Sequence, residues 1–131
     1  MDELNTKEFN LVKLHPWYTM IILNKIDGFN DIANWASFHH ERLGGSGYPF
    51  FKDENNIPEE SLLIGLCEIL GTLNEDRSYR EKKRKDDITG IMSDMKEKKL
   101  PDKFVDIILD NIDEFMSYTE KAKVKMEKNY K

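Results

Sequence analysis

Apolar residues recur along most of this 131-residue chain at the spacing of one helix face. Leu11, Leu14, Tyr18, Ile21 and Ile22 fall at i, i+3, i+7, i+10 and i+11, which predicts a first helix. Asn5 with Glu8 three residues on has the form of an N-terminal capping pair for it. Asp27-Gly28 reads as a stop or turn. A second helix is expected from Asn30 to about His40, with Ile32, Trp35, Ala36 and Phe38 as packing residues. Pro58 suits the start of a third, in which Leu62, Leu63, Leu66, Ile69, Leu70 and Leu73 share a face. Ile88, Ile91, Met92 and Met95 predict a shorter fourth helix. Pro101 opens a fifth through Phe104, Val105, Ile108, Leu109, Ile112, Phe115 and Met116. No strand alternation and no internal repeat is evident, so the expected fold is all-α, a bundle of about five helices.

Two stretches depart from this pattern. Leu43 to Pro58 holds three glycines and two prolines without any period, and loops of that size in a compact domain tend to carry function. Beyond Met116 the period fades into a lysine-rich stretch, about 117–131, read as a solvated helix end or tail.

Composition narrows the class. Apolar residues make up 39% and charged residues 34%, which is globular and sufficient for one domain over 1–131. With 25 acids against 20 bases the net charge is -5, an argument against general nucleic-acid binding. No apolar run approaches the ~20 residues of a membrane span. The first residues are acidic where a signal peptide is basic, and one cysteine, Cys67, excludes an internal disulfide framework. These features predict a cytoplasmic protein without a membrane partner.

Candidate chemistry gathers around the histidines. His39 and His40 are adjacent, so about 100° apart on a helix, and meet one site only near a helix end, which the glycine loop supplies. His15 lies beside the apolar face of the first helix. Glu68 is the only acid of the third helix between Ser61 and Asn74, and a carboxylate among leucines needs a partner. Imidazoles with a carboxylate are a usual ligand set for iron, manganese or zinc. The residues alone leave this open: each histidine also has a hydrogen-bonded structural reading, and Glu68 an ion-pair one. The basic cluster from Arg77 to Lys85 reads on charge alone as solvated surface.

The string His39-His40-Glu41-Arg42-Leu43-Gly44-Gly45-Ser46-Gly47-Tyr48-Pro49 closely resembles the signature of the HD-GYP family of HD phosphohydrolases, HHE-(R/K)-x-DGxGYP. Leu14-His15-Pro16 resembles the family's upstream histidine-proline segment. The block from Cys67 to Arg80 is similar to its AD-x-x-DALTxDRPYR block. The resemblance implies an all-α, metal-dependent phosphodiesterase that opens cyclic di-GMP at two or three iron or manganese ions. Carried over, His15, His39, His40 and Glu68 match metal ligands. Tyr48, Arg77 and Arg80 match substrate-binding positions, and Gly45, Gly47, Tyr48 and Pro49 form the motif loop.

Departures from the pattern qualify that expectation. The chain contains no His-Asp dipeptide, and by register the metal-bearing helix that carries it in the family would precede Met1. Gly44 and Gly71 stand where the family has aspartates, and Glu68 is one methylene longer than the family's aspartate. The expected function is therefore a degenerate signalling module that binds metal, cyclic dinucleotide or protein with weak or no turnover. The alternatives are a phosphodiesterase with a depleted site, or a fragment completed by another subunit. A missing helix would leave apolar surface, which predicts a homo-oligomer or a protein partner.

Overall fold

A computed structural model describes residues 5–75, 82–96 and 98–129, and the side chains up to residue 122. Helices predominate among its described residues, with no named strand. Seven α-helices follow in order: α1 (Thr6–Val12), α2 (His15–Leu23), α3 (Asn30–Ser37), α4 (Glu59–Leu73), α5 (Lys85–Met95), α6 (Asp102–Asp110) and α7 (Ile112–Asn129). The all-α expectation holds, and so does the capping box at Asn5 and Glu8. Two of the five expected helices are each broken once. The first breaks because Pro16 has no N–H to donate to the carbonyl of Val12, so the chain turns through Lys13 and Leu14 and restarts at His15. The fifth breaks at Asn111, whose extended φ of -121° ends α6 before α7 begins.

Helix α2 packs against α3, α3 against α4, and α4 against α6. The larger core joins Leu66, Leu70 and Leu73 of α4 to Ile88, Met92, Leu100, Val105 and Ile108. A smaller one gathers Phe38, Ile57 and Leu62, with Phe104 partly buried against both. Helix α4 thus serves both cores and holds the two halves together.

The apolar stripe expected to bury the first helix stays largely at the surface. Leu11 is 69% exposed, Tyr18 54% and Ile22 61%. Periodicity reports a face able to pack but not what it packs against. Among the described residues no helix is long and apolar enough to cross a membrane.

Candidate metal centre

The site begins where α3 stops. After Ser37 the chain leaves the helix, and His39 and His40 turn their rings to one side, 4.0 Å apart between centroids. His15, at the start of α2, brings its ring to 5.3 Å from His39 and 5.0 Å from His40. The ligand nitrogens of all three lie within 4.8 Å of one another. One helix end and one helix start therefore supply what no single regular helix could.

Local backbone chemistry sets two of the rings. The Val12 carbonyl, deprived of a partner by Pro16, accepts a hydrogen bond from His15 Nδ1 at 2.7 Å. His39 Nδ1 donates to the Ala36 carbonyl, also at 2.7 Å. A carbonyl only accepts, so both rings carry their proton on Nδ1 and leave Nε2 as a lone pair when neutral. Those two Nε2 atoms face each other at 3.3 Å. Two lone pairs at that distance repel unless a proton or a cation lies between them. Nitrogen ligands ~2.1 Å from one ion are at most ~4.2 Å apart, so the spacing fits a shared ion, and the backbone bonds orient the rings as outer partners do in metal sites.

Burial keeps the neighbouring imidazoles neutral. It lowers the His39 pKa, against the opposing pull of the Ala36 hydrogen bond and the Glu68 charge. His40 is pushed down to about 3, by burial first and then by the repulsion of His39, His15 and Arg42. Neutral imidazole is the form that binds metal.

Glu68 enters from α4, its Oε2 at 3.6 Å from both His39 Nε2 and His40 Nδ1. Its side chain is 45% exposed, which corrects the expectation of a carboxylate buried among leucines. It lies on the wet edge of α4 while Leu66 and Leu70 take the core. Tyr48, expected at the substrate, stacks on His40 with centroids 4.5 Å apart and planes 27° apart, which places it against the histidine cluster. Arg77 and Arg80 lie outside the described residues.

Four residues, Glu41, Arg42, Gly47 and Gly65, play supporting parts that residue order alone does not assign. Glu41 is completely buried, and its carboxylate accepts from the backbone N–H of Phe50 at 2.7 Å and of Lys52 at 3.0 Å. This clamp folds the motif loop back on the double histidine and holds Phe51 at a φ of 51° between the two bonds. Arg42 donates from one guanidinium nitrogen to the carbonyls of His39 and Glu41, at 2.7 and 2.6 Å, fixing the turn that presents both rings. Gly47 and Gly65 allow close approach. A Cβ on Gly47 would meet the Glu41 Cα at 2.3 Å, and one on Gly65 would meet the His39 carbonyl oxygen at 2.1 Å. An isolated glycine within an apolar helical pattern was the available signal for Gly65. Glu41 carried the signal of the HHE signature, which does not disclose its backbone partners. A separate cavity of about 100 Å³, lined by Cys67, Leu70, Asn74, Ile88, Ile112, Phe115, Met116 and Thr119, includes none of these groups.

This arrangement meets a known sequence pattern, that of the HD domain, which matches residues 1–103. The chain belongs to the HD domain family. Members of that family are metal-dependent, in keeping with the histidine cluster. Among curated relatives this HD domain is 33% identical over 92 residues to the 3'3'-cGAMP-specific phosphodiesterase 3 of Vibrio cholerae, covering 70% of this chain and 20% of that protein. It is 30% identical over 82 residues to a cyclic di-GMP phosphodiesterase of Thermotoga maritima, covering 61% of this chain and 22% of the relative. A cyclic di-GMP phosphodiesterase of Pseudomonas aeruginosa is 28% identical over 80 residues, covering 60% of this chain and 19% of that protein. The chain thus spans about a fifth of the length of these relatives. The HD-GYP resemblance agrees with all of them.

Proposed function

We propose that this HD domain is a metal-binding recognition module for the phosphodiester of a cyclic dinucleotide, with weak or no turnover. The observation that carries the reading is the pair of Nε2 lone pairs of His15 and His39 facing each other at 3.3 Å. With His40 and the Glu68 carboxylate they make four donors, a set suited to one ion such as iron or manganese. A divalent ion held there would supply Lewis-acid charge to a phosphodiester. The chain's own part is to hold neutral imidazoles in place through the Val12 and Ala36 carbonyls and to wall one side with Tyr48. Relatives named as cyclic dinucleotide phosphodiesterases support the ligand class.

Four donors and glycines at positions 44 and 71 speak for recognition over hydrolysis, because a two-metal clamp needs further carboxylates. Calorimetric titration of cyclic di-GMP with and without manganese, followed by analysis of the nucleotide, tests both parts. Manganese-dependent binding with the nucleotide recovered intact is the expected result. Rapid conversion to the linear dinucleotide, lost in His39→Ala, would favour the phosphodiesterase reading. Absence of binding would overturn the proposal.

The exposed apolar side chains of α1 and α2 support a second element of the reading, that this face is covered by self-association. Light scattering at tens of micromolar is expected to show a dimer or larger species. A strict monomer overturns it.

A further inference from the structure

Beside the histidine cluster stands a cation that the metal reading does not use. Lys13 caps the C-terminus of α1, two residues before His15, and is half-buried. Its ammonium lies 4.9 Å from the centre of the Phe9 ring and 5.5 Å from that of Tyr48. Tyr48 in turn stacks on His40 at 4.5 Å, so the ammonium is within about 10 Å of the His40 ring.

The manner of its holding matters. Lys82, Lys85, Lys96 and Lys103 each pair with a carboxylate, Glu120, Asp113, Asp106 and Glu59 respectively. Lys13 has no carboxylate partner among the described residues and rests instead on two aromatic rings. Ring faces attract a cation through their quadrupole without neutralising it, so its full charge and its N–H donors remain available to an anion. Lys52 and Lys121 also rest on rings, over Phe38 and Tyr118; Lys13 differs in that one of its rings, Tyr48, is itself stacked on the histidine cluster.

We propose that Lys13 forms a second anion position of this site and takes the phosphodiester of a cyclic dinucleotide that is not at the histidines. Such a ligand carries two phosphodiesters across one ring; a divalent ion held by the histidines would be one positive station, and the Lys13 ammonium is a second, with the Tyr48 ring between them. The inference rests on the cyclic dinucleotide reading above and adds to it the group that distinguishes a two-phosphate ligand from a single phosphate.

The test compares the manganese-loaded chain with Lys13→Met, which keeps an apolar stem on the rings, and with Lys13→Arg, which restores the charge. Calorimetry with cyclic di-GMP at low salt is expected to show about a tenfold loss for Lys13→Met, largely recovered in Lys13→Arg. Inorganic phosphate, a single anion, is expected to bind both variants as it binds the wild type. Manganese stoichiometry and the unfolding temperature report whether each variant is intact. If Lys13→Met does not fold, Lys13→Arg and the salt dependence of wild-type cyclic di-GMP binding decide the matter. A dinucleotide affinity that is insensitive to salt then overturns the assignment. Unchanged cyclic di-GMP affinity in a folded Lys13→Met overturns the role of Lys13 while leaving the recognition reading intact. Equal loss for cyclic di-GMP and phosphate overturns the second-station assignment, because Lys13 would then serve the anion at the histidines. A wild type that binds phosphate but not cyclic di-GMP overturns the ligand class and this inference together.

Discussion

The carbonyl oxygen of His39 lies where a side chain on Gly65 would have to begin: a Cβ there would be 2.1 Å away. Glu68 is three residues further along α4, about one helical turn, so this contact determines how near its carboxylate comes to the imidazoles. The missing methyl group is thus part of the site's geometry.

Two glycines of one helix should therefore respond oppositely to alanine. Gly65→Ala is expected to cost about 3 kcal/mol and to weaken manganese binding about tenfold, by driving α4 off His39. Gly71, six residues on, has nothing within 4 Å of its would-be Cβ. Gly71→Ala should stabilise the chain by about 0.5–1 kcal/mol through helix propensity, leaving manganese affinity unchanged. Denaturant unfolding with metal titration checks both, and a tolerated Gly65→Ala would refute the packing argument.

Removing the charge of Glu41 should loosen the motif loop. Glutamine retains one acceptor but sets an NH2 against a backbone N–H, so Glu41→Gln is expected to cost about 2–3 kcal/mol. Faster hydrogen exchange at the Phe50 and Lys52 amides is the direct readout. Protection equal to the wild type would show that the loop holds without the clamp.

Acid should destabilise the metal-free chain in a defined window. His39 and His40 have folded pKa values below the ordinary 6.5, His40 at about 3. Below about pH 6.5 the unfolded chain therefore binds protons that the folded chain refuses, and stability falls as pH drops from there toward 3. Unfolding midpoints of the wild type across that range should decline more steeply than those of a His40→Phe variant. Parallel curves would contradict the burial assigned to His40.

Metal should stabilise the fold through the same donors. Manganese at a hundredfold excess over its dissociation constant is expected to add about 2.7 kcal/mol of stability. His39→Ala should remove most of that increment, and a chelator should reverse it. An unfolding temperature indifferent to manganese in the wild type would count against the four-donor site.

Much of this arrangement could be read from residue order alone, and the reasons for the remainder are physical. The helical class followed from apolar spacing, because a 3.6-residue period in the sequence is the packing face itself. The double histidine at a helix end followed from its adjacency and the glycines after it. The break before His15 is less visible, since the histidine-proline motif marks Pro16 without showing that it removes one backbone donor. Apolar surface follows from the absent family helix, but that Tyr18 and Ile22 carry it does not, because amphipathic spacing carries no information about what lies opposite. Gly65 and Glu41 act on segments distant in sequence, through a steric fit and a buried carboxylate whose partners only the folded chain brings together.

The break before His15 has one more consequence. Pro16 offers no donor atom to the site, yet it is what leaves the Val12 carbonyl free for the His15 ring. Any residue with an N–H at position 16 would compete for that oxygen, and the ring that lost would be free to rotate or to move its proton to Nε2. The tautomer of a metal-facing imidazole is thereby governed from the main chain, by an atom that proline lacks.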